Sequence, residues 1–341
     1  MTPGTMSDRA PAESTSIENT SAASTSVPST SVERSMSSNT TSGSASADST
    51  SADSTSADSA SVDNASTDSA STDNSVSVAA RFRAEYGAHR AAEGRGHAGA
   101  ELLALPYLRN GPLAKQWAVR ARTFDAFVAH VLRPLTIEMG RPLAVLDLGA
   151  GNGWLSRRAA LDGHDALAMD VRDDDVDGLG AARGYPASGE DARFHLAAAS
   201  FEALPLRARS FDVAVFNASL HYATDLAAVI AEAARVVRGG GCIAILDSPF
   251  YRSDAAGEAM VAEKRAQAAQ RFGGRAGALL ALPFVEYLTA ARLAEASAGP
   301  GLAWRRRRVR YPAWYEARPL LARIRGQRIP SRFDLWTARV P

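Results

Sequence analysis

Residues 145–153 read Val-Leu-Asp-Leu-Gly-Ala-Gly-Asn-Gly. An apolar run, Leu143 to Leu148, precedes the three glycines, and a helix-compatible segment, Trp154 to Ala160, follows them. The order predicts a strand, a tight turn and a helix start. Glycine lets a backbone turn sharply and approach a ligand closely. The helix start then presents free amide groups to a polar or anionic group. Asp147 ends the strand and points into the same crevice. The segment therefore predicts a nucleotide-like cofactor pocket.

A dinucleotide fingerprint would read G-x-G-x-x-G. Here the third glycine, Gly153, comes one residue early and Trp154 follows it. An acidic residue two positions before the first glycine is also foreign to that fingerprint. The pattern Asp147-Leu148-Gly149-Ala150-Gly151-Asn152-Gly153 instead resembles the first motif of class I S-adenosylmethionine-dependent methyltransferases. In that family the glycine turn receives the methionine part of the cofactor.

Further segments follow in the order of that family. Ala166 to Val171 is a second apolar run, and its Asp170 lies 19 residues after Gly151. A carboxylate there suits ribose hydroxyls, because it accepts two hydrogen bonds at once. Nicotinamide enzymes use the same device. Ala199 to Leu206 and Phe211 to Asn217 resemble the third and fourth motifs, which places Ser200 and Phe201 beside the adenine. The family usually has aspartate where Ser200 stands, which weakens the contact to the adenine amino group. Ala218-Ser219-Leu220-His221-Tyr222 is similar to the ubiquinone/menaquinone-biosynthesis-like (type 11) subgroup. Val236 to Gly241, then Cys242 to Asp247, resembles its helix, turn and fifth strand. The resemblance covers roughly residues 140–250. It implies S-adenosyl-L-methionine as cofactor, with Asp147, Gly149, Ala150, Gly151, Asn152, Asp170, Val171, Ser200, Phe201, Asn217 and Leu220 as its binding residues.

The 341 residues are not of one material. Residues 1–78 are Ser, Thr, Ala, Asp and Asn with almost no large apolar side chains. Asp48, Asp53, Asp58, Asp63, Asp68 and Asp73 recur every five residues. Such a segment has too little to bury to offset the entropy of ordering, so a disordered tail is expected. It carries a net charge of about −8, which leaves about +9 on the remainder of a chain whose total is +1. That modestly basic remainder could attract anions. No secretory signal, transit peptide or membrane-spanning run is visible, so the expected location is the cytoplasm with no membrane partner. The single cysteine, Cys242, rules out an internal disulfide and cysteine-rich zinc sites, and no metal is expected.

The expected fold is α/β: a doubly wound, Rossmann-like seven-stranded sheet with N-terminal helices. Residues 79–341 form the expected methyltransferase domain. Within it, 79–140 are a helical lid or cap, 141–250 the cofactor-binding core, and 251–341 the substrate-side insertion and last strands. Asn110-Gly111-Pro112 reads as a helix start and Arg133-Pro134 as its end. Strands are expected over 143–148, 166–171, 194–198, 213–217 and 242–247, then over 304–311 and 333–340. Helices are expected over 253–272 and 278–291. The arginines at 305–308 and 310 read as a solvated strand edge or as a phosphate or RNA contact.

Methyl transfer is an in-line displacement, so nucleophile, methyl and sulfur must be held collinear. A base is needed where the acceptor is an acidic hydroxyl, amine or carbon acid. His221 is the base candidate, because a free imidazole titrates near neutrality and this one stands just after the fourth strand. Tyr222 and Tyr251 are candidates for orienting the acceptor, and Asp247 for a second polar wall. Tyr86, His89, Arg90 and Tyr107 are candidates for a closing segment. The leading reading is methyl transfer to a small-molecule acceptor, since no nucleic-acid-binding module is recognisable. The alternatives are an RNA methyltransferase, an NAD-type oxidoreductase and a non-catalytic cofactor-binding protein. Neither the acceptor nor the oligomeric state has a sequence signal.

Overall fold

The computed structural model describes residues 96–185, 194–272 and 283–341. The expected disordered tail, and Tyr86, His89 and Arg90, lie outside the described residues.

Strands β1 (Ala144–Leu148), β2 (Asp165–Asp170), β3 (His195–Ala198), β4 (Phe211–Asn217) and β5 (Val237–Leu246) are parallel neighbours in the order β3-β2-β1-β4-β5. Val145, Leu146, Leu148, Val213 to Phe216 and Ile243 to Ile245 are fully buried. Strands covered by helices on both faces read as such continuous apolar runs. Beyond β5, β9 (Leu335–Arg339) and β8 (Trp304–Arg307) complete a seven-stranded sheet, with β9 antiparallel to both its neighbours. All seven strands fall on predicted runs. β5 starts earlier than expected, because Val237 already pairs with Phe211 before a register shift. β8 ends at Arg307, short of the expected Tyr311.

Helices α1 (Gly99–Ala104), α2 (Ala114–Phe127), α3 (Arg133–Met139) and α4 (Trp154–Leu161) precede or flank β1. Arg133-Pro134 does not end the helix as expected. A π-helical turn, Val128–Leu132, sits between α2 and α3, and the Arg133 N–H reaches back to the Val128 carbonyl. The wide turn takes up the proline, which lies in the first turn of α3 where no N–H is required. The helix stops instead at Gly140, in the left-handed region at φ 64°. Helix α5 (Leu226–Val236) is capped by Asp225, whose carboxylate accepts from the Ala227 and Ala228 N–H groups.

The segment after β5 departs most from expectation. β6 (Phe250–Tyr251) is followed by helix α6 (Asp254–Phe272), as charge and spacing suggest. The helix expected over 278–291 is absent from residues 283–289. Those residues are irregular, with Glu286 in the left-handed region at φ 64°, until β7 (Leu288–Thr289) pairs in parallel with β6. Helix α7 (Ala290–Ala296) starts only behind the Thr289 cap. Pro283 is excluded from a helix interior, and the bulky Phe284, Val285 and Tyr287 favour strand over helix. Helices α8 (Ala313–Glu316) and α9 (Arg318–Ile324) then lead to β9. Among the described residues, no helix is long and apolar enough to cross a membrane.

Candidate active site

Strand order reverses between β1 and β4. In open α/β sheets the crevice for ligands lies outside the carboxyl ends of the strands at such a switch. The predicted motif residues meet there.

The glycine turn is built as expected. Gly149, Gly151 and Gly153 have φ of 75°, 55° and 72°. A Cβ on Gly149 would lie 2.4 Å from that of Ser219, and one on Gly153 would lie 2.9 Å from the Phe194 ring. Glycine is therefore required at both positions. The Gly149 and Ala150 N–H groups bond the Met169 carbonyl at 2.8 and 3.0 Å. Asn152 is buried and turned into the loop, where its Oδ1 accepts from the Trp154 N–H. Trp154 packs edge-on to Trp117 and Phe124, which docks α2 on the start of α4.

Asp147 is completely buried. Its Oδ2 accepts from the Ser156 hydroxyl at 3.0 Å, while its Oδ1 accepts no hydrogen bond among the described residues. Burial raises its carboxyl to about 7, opposed by Ser156 and reinforced by the charge of Asp170. Asp170 binds the Gly151 N–H through Oδ2 and the Arg172 N–H through Oδ1, at 2.8 and 2.9 Å. Each oxygen keeps a second lone pair for another donor. Burial raises the Asp170 carboxyl, and the two backbone N–H groups hold it down. Val171, half-buried, follows directly.

At β4, Asn217 is nine-tenths buried and its Oδ1 lacks a partner among the described residues. Ser219, which the sequence reading did not single out, donates to the Leu148 carbonyl at 2.5 Å. Leu220 is fully buried. Ser200 is occupied locally, its hydroxyl accepting from the Glu202 N–H at 3.1 Å. The Phe201 ring packs edge-on to Phe216 and lies 3.5 Å from where a Gly149 Cβ would sit. Phe201 thus reaches the glycine turn.

His221 and Tyr222 sit on one short turn, their rings 4.2 Å apart. The segment at 283–289 holds that turn, since Glu286 and Val285 donate to the His221 and Ala223 carbonyls. The same segment continues into β7, beside Tyr251. Tyr251 itself packs against Tyr287 and lies under Arg328. Tyr107 is held by Asp125 at 2.8 Å and lies under Arg158.

A family described as "Methyltransferase domain" matches residues 146–245. Two curated relatives are malonyl-[acyl-carrier protein] O-methyltransferases. The one from Pseudescherichia vulneris is 36% identical over 104 residues, 30% of this chain and 38% of its own length. The one from Salmonella typhimurium is 35% identical over 111 residues, 32% of this chain and 41% of its own length. The chain thus spans about two fifths of the length of these relatives. Among solved structures, the geranyl diphosphate C-methyltransferase of Streptomyces coelicolor A3(2) is similar at 13% identity and a TM-score of 0.45, covering 72% of this chain and 89% of that one. Residues 146–245 are thus similar to a methyltransferase domain, and the match covers less than a third of the chain.

Proposed function

We propose that this protein transfers a methyl group from S-adenosylmethionine to a small-molecule acceptor. The observation that carries the reading is the set of acceptor atoms at the β1/β4 switch: the unpartnered Oδ1 atoms of Asp147 and Asn217, with Asp170 opposite. Buried acceptors without partners are costly. They suit a ligand rich in donors, such as one with an ammonium, a ribose diol and an amino group.

In this reading Asp147 and residues 149–152 hold the methionine part. Asp170 and Val171 hold the ribose. Ser200, Phe201, Asn217 and Leu220 border the adenine and the sulfur. His221, Tyr222 and Tyr251 belong to the acceptor side. When bound, the cofactor supplies an electrophilic methyl on a sulfonium. The chain's own residues orient it, exclude water and manage the acceptor's proton. The domain division at about residue 79 and a cytoplasmic setting belong to the same proposal. The family match ends at residue 245, before Asp247 and Tyr251. The relatives' carrier-protein substrate is therefore not carried over to this chain.

The RNA reading is weaker. Two arginines of the run are already paired, Arg306 with Asp334 and Arg308 with Glu316. The test is calorimetric titration with S-adenosylhomocysteine, coupled to methyl transfer from labelled cofactor. Binding by the wild type, and its loss in Asp170→Ala with the fold intact, is the expected result.

A further inference from the structure

Asp247 leaves the carboxyl end of β5 with a left-handed backbone, φ 50°. Its side chain is 5% exposed. Among the described residues, no hydrogen bond reaches either of its carboxylate oxygens. A buried carboxylate is ordinarily paired or hydrogen-bonded. Burial raises its carboxyl, and the Arg120 charge and the Thr123 hydroxyl lower it in part, though both groups are also engaged elsewhere. Tyr311 gives its one proton to the Phe333 carbonyl. The Thr123 hydroxyl is engaged with Tyr311 at 2.8 Å and with the Val119 carbonyl at 3.3 Å. Arg120 lies over the Trp117 ring, 5.1 Å from its centroid. The neighbouring Ser248 hydroxyl, 1% exposed, also lacks a partner among the described residues.

Asp247 stands one strand beyond Asn217, since Asn217 pairs with Leu246. Unpartnered acceptor atoms therefore run across the ends of β1, β4 and β5. The first two serve the proposed cofactor. Asp247 and Ser248 lie past it, on the side away from the Asp170 strand. Left-handed backbone and a buried carboxylate whose oxygens lack full hydrogen bonding, at one residue, are features that concentrate at ligand sites.

We propose that Asp247 binds the methyl acceptor through an N–H or O–H group and takes its proton as the methyl is transferred, an inference that rests on the methyltransferase reading. The acceptor heteroatom gains the methyl carbon and gives up its proton. The carboxylate becomes the neutral acid, and the electron pair of the broken C–S bond stays on sulfur. Charge balances without a further reactant. An acceptor whose nucleophile is itself a carboxylate is disfavoured by like-charge repulsion.

The test uses the full chain and Asp247→Asn. Asparagine tolerates the left-handed backbone as aspartate does, so the fold is preserved. Three probes are offered with labelled cofactor: catechol, benzylamine and benzoate. The variant should bind S-adenosylhomocysteine within about twofold of wild type, because the two sites are separate. It should melt at or above wild type, because a buried charge is removed. Transfer to catechol or benzylamine should fall by about 10²-fold or more, the typical contribution of a base. A melting temperature lowered by more than about 4 °C would make Asp247 a structural residue and overturn the proposal. So would wild-type turnover in the variant, or benzoate as the preferred acceptor. Should none of the probes accept a methyl, the melting temperature decides alone. Failure of the wild type to bind S-adenosylhomocysteine would instead overturn the methyltransferase reading beneath it.

Discussion

The Ser219 hydroxyl donates to the Leu148 carbonyl at 2.5 Å, tying the turn after β4 to the end of β1. The two sides of the switch point are thereby fixed to each other. The same serine fills the space over Gly149, where a Cβ would lie 2.4 Å from its own.

Gly149→Ala should therefore push the two turns apart. The strain includes a positive φ as well as the overlap. Binding of S-adenosylhomocysteine should weaken by about 10²-fold, equivalent to about 3 kcal/mol. Calorimetry reads this directly. Ser219→Ala removes the bond and keeps the space, so it should weaken binding far less.

Asp147 should make cofactor binding release protons. Its carboxyl is raised to about 7 by burial, so much of it is protonated at pH 6. An ammonium placed beside it favours the ionised form. Titrations at pH 6 in two buffers of different ionisation enthalpy should differ for wild type and agree for Asp147→Asn. Identical heats for wild type would contradict the assignment.

Asp147 and Asp212 should act on stability with opposite sign. Asp147 holds its proton in the folded state above the ordinary carboxylate pKa. Its stabilising contribution is present at low pH and is lost as pH rises toward about 7. Asp212 is completely buried between Arg141 and Arg238, with the Ala144 N–H on Oδ2. Those partners outweigh burial and lower its carboxyl. Its contribution is present above the ordinary carboxylate range and fades as pH falls through it. Asp212→Asn should cost roughly 2–3 kcal/mol near neutrality, from weakened charged hydrogen bonds. Denaturant unfolding from pH 2 to 8 separates the two effects.

The arginine run should be dispensable. β8 is an edge strand, and Arg305 and Arg307 are exposed on it. Changing both to Ser should alter stability by less than about 1 kcal/mol, the usual range for exposed charges. Affinity for an RNA hairpin that falls steeply with salt, and is lost in this variant, would revive the nucleic-acid reading.

The central strands were legible because β1, β2, β4 and β5 are largely buried and announce themselves as apolar runs. The glycine turn was legible because its conformation leaves little choice of residue. The segment 283–289, between α6 and α7, was not. Leu288 and Thr289 take their strand from pairing with Phe250 and Tyr251, a contact that no local periodicity reports. Pro134 read as a stop because the π turn that accommodates it has no signature of its own. Asp247 was visible only as a polar residue after a strand. Its setting depends on Thr123 and Tyr311, 188 positions apart, engaging each other. Ser219 was passed over for the same reason, since its partner is 71 residues away.

The most direct measurement is a thermal shift of the full chain with S-adenosylmethionine, S-adenosylhomocysteine, NAD and NADP in parallel. A ligand that binds only the folded state must raise the melting temperature. A rise with the first two and none with the nicotinamides is the expected result. A rise with NAD or NADP, or no rise with either adenosyl ligand, would contradict the account.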